Sequence, residues 1–100
     1  MSNERILLCE DDESLRVVLT LSLEGVGGFR VTAVGGGREA LAAFSAERPD
    51  LVLLDVVMPD LDGPATMAKL RRVRGGRKVP VAFLTGRTQP SDVEKLKALG

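Results

Sequence analysis

Acidic side chains follow two separate runs of apolar residues in this chain. Glu10, Asp11 and Asp12 come directly after the run RILLC, and Asp55 ends the run LVLLD. If the two runs are neighbouring strands of a parallel sheet, their carboxyl ends share one edge and these carboxylates converge there. Like charges at short range repel strongly in a partly dry cleft, so a cation must neutralise them. Carboxylate oxygens suit Mg²⁺, which can in turn neutralise a phosphoryl group.

Simpler interpretations exist for some of these residues. Asp11 and Asp12 could cap the helix that follows them, as acids near a helix N-terminus often do. Thr85 follows a third apolar run and would add a hydroxyl at the same edge, although a threonine that ends a strand often only suits the strand. The combination with Asp55 favours a metal site over the capping role.

The elements that must position these side chains alternate along the chain. Apolar runs predict strands at 5–9, 29–34, 51–55 and 80–84, and helical periodicity, glycine stops, Pro64 and a capping box at Ser91 predict helices at 13–24, 38–47, 64–73 and 91–100. Strands separated by helices predict a doubly wound α/β fold, a parallel sheet with helices on both faces. A flavodoxin-like strand order, 2-1-3-4, would make the first and third strands neighbours.

Composition limits the possible classes of protein. The 100 residues suffice for one domain, and 44% hydrophobic with 28% charged residues is typical of a folded chain. A net charge of zero gives no overall attraction to nucleic acid or to an anionic membrane. The single cysteine, Cys9, fits a reducing cytoplasm, and no apolar run reaches the roughly 18 residues of a membrane span. We therefore expect a cytoplasmic protein.

These motifs together resemble a known family. Glu10-Asp11-Asp12 after the first strand, Asp55 followed by Met58-Pro59 and Asp62-Gly63, and Thr85 after the fourth strand are similar to the receiver domain of bacterial two-component response regulators. The resemblance covers the whole chain, in order and in spacing, and three separated motifs are far more specific than one. It implies the CheY-like version of the flavodoxin-like fold.

The resemblance also implies a role for each site residue. Asp55 would be the phospho-acceptor, and Asp12, Asp55 and the backbone carbonyl of Val57 would ligate Mg²⁺. Asp11 would support the metal through water or as an outer ligand, and Thr85 would be the switch hydroxyl that bonds the phosphoryl group. The partner would be a sensor histidine kinase or a phosphotransfer protein, and the domain would signal rather than catalyse turnover.

One departure from the family pattern is large. A complete receiver has a fifth strand and helix, with a lysine that pairs with the phosphoryl group, and residues 1–100 stop after the predicted fourth helix. The sequence therefore predicts a receiver domain that is incomplete at its C-terminus. Its fourth strand would then be a sheet edge, so we expect the chain either to self-associate, with this strand as the candidate contact, or to belong to a longer chain. Contact with nucleic acid would occur only through an effector domain that these residues do not include.

Other functions stay open at this point. A pseudo-receiver, a protein-interaction module that takes no phosphate, is favoured only by the missing lysine. A haloacid-type hydrolase would need a second aspartate two residues after the nucleophile, where Val57 stands instead. The basic run at 71–78 could suggest RNA binding, but with no aromatic residue among the bases it is more typical of a solvated helix end and loop.

Overall fold

The computed structural model describes residues 4–58 and 61–84, which form four parallel strands and three helices. In chain order these are β1 (Arg5–Cys9), α1 (Glu13–Gly25), β2 (Arg30–Val34), α2 (Gly37–Glu47), β3 (Leu51–Asp55), α3 (Gly63–Leu70) and β4 (Val81–Leu84). The sheet has the order β2-β1-β3-β4 with every neighbouring pair parallel. The predicted fold class and strand order are confirmed. The predicted helix at 91–100 lies outside the described residues.

Two aspartates start the helices that follow the site strands. Asp12 is the N-cap of α1, and its Oδ1 accepts the Leu15 N–H at 3.1 Å. Asp62 caps α3 by accepting the Ala65 N–H at 2.8 Å, and Pro64 occupies the first turn. Each cap satisfies a backbone donor that the helix itself cannot pair. Both helices therefore begin directly beyond the carboxyl end of a strand.

Helix α3 is shorter than the sequence predicts, since it ends at Leu70 rather than near Val73. Beyond Leu70 the backbone closes three-residue turns, with the Val73 N–H bonded to the Leu70 carbonyl at 3.0 Å. Gly76 is buried against that same carbonyl, where a β-carbon would collide with it. The chain turns back this early because Gly76 can approach the end of α3 closely and Gly75 adopts a positive φ of 85°.

The two faces of the sheet differ in how well they are covered. On one face of the sheet, alternate strand residues such as Leu7 and Leu54 pack with α2, α3 and the loop before β4 to form the core. The buried members of this core are Leu7, Cys9, Ala40, Phe44, Val52, Leu54, Met58, Leu70 and Val79. Ile6 and Leu8 alternate with that set and face α1, which itself has no fully buried residue. Large apolar side chains of α1 remain exposed, including Val18 and Leu21 at 56% and 65%.

Strand β4 pairs only with β3 within the described residues and so forms the edge of the described sheet. Val81, Phe83 and Leu84 are partly buried there, and Ala82 is exposed. The self-association expected through this strand stays a prediction. In the described part of the chain, no helix is long and apolar enough to cross a membrane.

Candidate functional site

The register of the two central strands brings acidic residues together. Cys9 of β1 is opposite Leu54 of β3, so Glu10 and Asp55 follow at the same level on neighbouring strands. The Glu10 N–H continues the ladder on the other side by donating to the Val34 carbonyl at 3.1 Å. Parallel strands place their carboxyl ends at one edge, which is why residues 45 positions apart in the chain meet here.

A glycine lets α3 approach this edge closely. The Gly63 N–H donates to the Val56 carbonyl at 3.0 Å, and a β-carbon on Gly63 would collide with the carbonyl of Asp55. Glycine is therefore required where α3 starts against the end of β3. The motif Asp62-Gly63 thus combines a helix cap with a close backbone contact, and it fixes the chain that leaves Asp55.

Three carboxyl groups form the centre of the site. Glu10, Asp11 and Asp55 each offer an oxygen, and these oxygens lie within 4.8 Å of one another. Glu10 and Asp55 are almost fully buried, at 1% and 5% exposed. Asp11 Oδ1 and Asp55 Oδ2 are buried and have no hydrogen-bond partner among the described residues. Buried carboxylate oxygens without donors are costly unless a cation or a proton satisfies them.

The electrostatics of the cluster also indicate that it needs a cation or a proton. Burial raises the pKa of Asp55, and the neighbouring Asp11 raises it further, while a backbone hydrogen bond from Val57 acts in the opposite direction. Burial also raises the pKa of Glu10, with Asp55 adding to the effect and the Asp12 N–H opposing it. Two full negative charges about 5 Å apart repel by roughly 3 kcal/mol at an effective dielectric of about 20. Without a cation these groups hold protons more tightly than ordinary carboxyls.

The predicted site residues do not all meet in this cluster. Asp11 and Asp55 do, but the Asp12 carboxylate accepts the Leu15 N–H as the cap of α1. Asp12 still borders the same cleft. Val57 lies two residues beyond Asp55 and is 57% exposed. Thr85 lies outside the described residues, so its predicted role as the switch hydroxyl stays a prediction.

Glu10 lies in the cluster, although the sequence-based prediction did not include it among the metal ligands. It stands in the same acidic run, and its burial pattern continues that of β1, whose last four residues are all buried. In the sequence, the signal that could have identified it is its place directly after the apolar run of β1, level with Asp55 at the end of the neighbouring strand. Asp12 comes two residues later, at the position where α1 requires a cap.

An open cleft leads to the carboxylates. Its volume is about 520 Å³, and it is lined by Glu10, Asp12, Ser14, Leu15, Val18, Asp55 and Leu84. The walls are largely apolar, and Glu10, Asp12 and Asp55 are the acidic residues among them. A cleft of this kind lowers the local dielectric around the acids, which strengthens their interaction with a cation or a charged group brought in from solvent.

Cys9 lies beneath the cluster and takes no part in it. The side chain is fully buried, and its sulfur is 3.3 Å from the Met58 sulfur. Burial, with the nearby acids, raises the pKa of the Cys9 thiol to about 12. A thiol that stays protonated at neutral pH is neither a nucleophile nor a metal ligand.

The sequence of this chain is similar to those of known proteins. Residues 6–100 match the family described as response regulator receiver domain. The transcriptional regulatory protein CseB of Streptomyces coelicolor is 43% identical over 88 residues, which are 88% of this chain and 36% of CseB. The DNA-binding response regulator MtrA of Mycobacterium tuberculosis is 42% identical over 90 residues, which are 90% of this chain and 38% of MtrA. The chain thus spans little more than a third of the length of these relatives.

Solved structures agree with the sequence matches. The chemotaxis protein CheY4 of Vibrio cholerae superposes with a TM-score of 0.88 at 29% identity, over 99% of this chain and 82% of CheY4. The receiver domain of the sensor histidine kinase PA1611 of Pseudomonas aeruginosa, solved with a magnesium ion coordinated in its active site cleft, superposes with a TM-score of 0.86 at 32% identity, over 99% of this chain and 80% of that one. From its fold, its acidic cluster and a match over nearly its whole length, this chain belongs to the receiver domain family of two-component response regulators.

Proposed function

We propose that this domain accepts a phosphoryl group on Asp55 in a Mg²⁺-dependent reaction, with a sensor histidine kinase or a phosphotransfer protein as the donor. The observation that carries the proposal is the pair of buried, unpaired oxygens, Asp11 Oδ1 and Asp55 Oδ2, on adjacent carboxyls. Such oxygens fit a hard divalent cation, because it needs oxygen ligands and supplies the charge that the cluster lacks.

We assign the cation to Glu10, Asp11 and Asp55, with the backbone carbonyl of Val57 as a further ligand. This set differs from the one expected from the sequence, in which Asp12 was a ligand, since the Asp12 carboxylate caps α1. Bound Mg²⁺ supplies positive charge that offsets the repulsion between an incoming phosphoryl group and the carboxylates. The fit also agrees with the magnesium ion in the related PA1611 receiver domain.

Each residue then has a part in the transfer. A carboxylate oxygen of Asp55 forms a bond to phosphorus while the bond from phosphorus to the donor histidine nitrogen breaks, and the electron pair leaves with the imidazole. The product is an acyl phosphate on Asp55. Gly63 lets α3 start against the end of β3, which keeps Asp55 in place beside the cleft. Thr85 stays the predicted hydroxyl partner of the phosphoryl group.

The partners and compartment follow the same proposal. The family signals through sensor kinases, and the single buried thiol of Cys9 suits a reducing cytoplasm. DNA binding belongs by name to MtrA as a whole, of which the matched residues are 38%. For the 100 residues of this chain, whose net charge is zero, we propose no nucleic-acid contact.

Phosphoryl uptake from a small donor tests the proposal. With acetyl phosphate and Mg²⁺, intact mass should show one added phosphoryl group on the wild type and none on Asp55→Asn. Asp50→Asn is the matched control, because Asp50 lies at the opposite end of β3 and its Oδ2 accepts the Arg5 N–H. Uptake that persists in Asp55→Asn, or that does not depend on Mg²⁺, would contradict the assignment. A folded wild type that takes up no phosphoryl group would favour the pseudo-receiver instead.

A further inference from the structure

Arg16 contacts the acidic segment from outside the carboxylate cluster. It lies in the first turns of α1, and its Nη1 donates to the backbone carbonyl of Glu10 at 2.9 Å. Its backbone N–H donates to the Asp12 carbonyl at 2.8 Å. One residue therefore bonds both ends of the three-residue acidic segment, through its side chain at Glu10 and through its backbone at Asp12.

The bond from Arg16 completes the fixation of Glu10. The Glu10 N–H donates to the Val34 carbonyl at 3.1 Å, and Glu10 Oε1 accepts the Asp12 N–H at 3.1 Å. The Glu10 carbonyl is the first beyond β1, where the regular ladder stops, and Arg16 supplies its donor. With both peptide groups of Glu10 bonded, its carboxylate is held next to Asp55. Without Arg16, the peptide between Glu10 and Asp11 could rotate and move both carboxylates.

A glycine lies directly beside the Arg16 guanidinium. A β-carbon on Gly35 would lie 3.0 Å from Arg16 Nη1, closer than such contacts normally are. The Gly35 N–H donates to Glu39 Oε2, which keeps this turn after β2 in place. At the adjacent Gly36 a β-carbon would meet only Glu39 Oε1, at an ordinary 3.5 Å. A β-carbon would therefore crowd the guanidinium at Gly35 but not at Gly36.

We propose that Arg16, placed over Gly35, is a positioning residue that fixes the Glu10 carbonyl and thereby holds Glu10 and Asp11 in the arrangement that binds the cation. The inference rests on the proposed Mg²⁺ site and assigns it a residue that touches neither the ion nor the phosphoryl group. Replacing a residue that contacts a metal's ligands, rather than the metal itself, commonly changes the affinity of the site for the metal by about 10- to 100-fold.

If Arg16 acted only through its charge, replacing it would change the Mg²⁺ affinity in the opposite direction. The direction of the change in affinity therefore tests the inference. The Arg16 guanidinium is bonded to the Glu10 carbonyl and carries a positive charge beside the acidic segment, so removing that charge would strengthen Mg²⁺ binding if Arg16 acted only through electrostatics. If Arg16 acts by positioning, removing its donors weakens binding despite the lost repulsion. The direction of the change in affinity therefore separates the two roles.

The test is calorimetric titration of Mg²⁺ into the wild type and variants, since the chain has no Trp or Tyr for intrinsic fluorescence. We expect Arg16→Met to bind Mg²⁺ about 10-fold or more weakly. Arg16→Lys keeps the charge and one donor, and it should recover part of the affinity. Gly35→Ala displaces the guanidinium without changing any charge and should weaken binding, while Gly36→Ala should bind as the wild type does.

Unfolding curves accompany each titration, so that the Mg²⁺ affinity is compared only among folded variants. If Arg16→Met does not fold, the comparison of Mg²⁺ affinity between Gly35→Ala and Gly36→Ala tests the positioning role. Unchanged or tighter binding by folded Arg16→Met, or equal binding by the two glycine variants, would overturn the positioning role. A wild type that binds no Mg²⁺ would instead overturn the proposed function, on which this inference depends.

Discussion

Opposite ends of the same sheet carry opposite charge, and the two ends are built differently. At the carboxyl ends of the strands, three acidic groups lie together, and two of their oxygens are buried without partners. At the other end, residues 69–78 contain six bases and no acid; these are Lys69, Arg71, Arg72, Arg74, Arg77 and Lys78. All of these except Arg71 are exposed. In the sequence, each end stands out as a cluster of like charges.

Burial, rather than the number of charges, distinguishes the acidic end of the sheet from the basic end. An exposed base is solvated and its charge is screened, so its position costs little and requires no partner. At the acidic end, burial raises the pKa of Glu10 and of Asp55, and buried carboxylate oxygens without donors destabilise the fold until a proton or a cation satisfies them. The carboxylates at the acidic end therefore need a proton or a cation as a partner, whereas water is a sufficient partner for the exposed bases at the basic end.

The largest expected effect separates two adjacent aspartates at the acidic end. Asp11→Asn should weaken Mg²⁺ binding by about 100-fold or more, because it removes a charged ligand oxygen from the buried cluster. Asp12→Asn should change the affinity by less than about threefold, because asparagine caps helices as well as aspartate does. Calorimetric titration of both variants measures the difference. Equal losses would restore Asp12 as a ligand.

At the basic end, the one partly buried arginine should matter for stability. Arg71 donates from Nη1 to the Gly76 carbonyl at 2.9 Å and to the Val79 carbonyl at 2.6 Å. Arg71→Met leaves both carbonyls without that donor and should lower the free energy of unfolding by about 1–3 kcal/mol. Urea unfolding followed by circular dichroism measures the change. No loss of stability would mean that water replaces this donor at no cost.

The acidic end should respond to pH in the reverse of the usual sense when no cation is present. Because the pKa of Glu10 is raised in the fold, the folded chain keeps a proton that the unfolded chain releases. The free energy of unfolding should then fall as the pH rises from the ordinary glutamate range through the raised pKa. Glu10→Gln should flatten this dependence and, without Mg²⁺, stabilise the fold at neutral pH by about 1–2 kcal/mol. Unfolding curves across this pH range, in the presence of a chelator, would detect it; a wild type and variant with the same pH dependence would contradict it.

The smallest effect is expected at an exposed base. Arg72→Gln should change the free energy of unfolding by no more than about 0.5 kcal/mol and leave Mg²⁺ affinity unaltered. It is the matched control for Arg71→Met, since the two arginines are adjacent and only one is partly buried. A large effect of Arg72→Gln would show that exposure alone does not separate the two ends of the sheet.

The sequence was sufficient for the fold because its signals were local and consistent. Buried runs such as LVLLD, the proline at the start of α3 and the alternation of strands with helices led to the observed order of the described elements. The end of α3 could not be predicted, because it depends on Gly76 packing against Leu70, a contact that helical periodicity does not encode. Likewise, the pattern of carboxylates predicted an acidic cluster at this edge, but which of the acids meet there depended on the use of Asp12 as the helix cap.

The most direct test of the central claim, that the buried acids form a cation site, is a calorimetric titration of the wild type with Mg²⁺ in buffers of different ionisation enthalpy. We expect saturable binding of one ion per chain, with protons released at pH values where the raised pKa of Glu10 and of Asp55 leaves these carboxyls partly protonated. Proton release should vanish at higher pH as these carboxyls ionise, and the affinity should rise. Absence of saturable binding, or binding with no proton release at any pH, would contradict the claim.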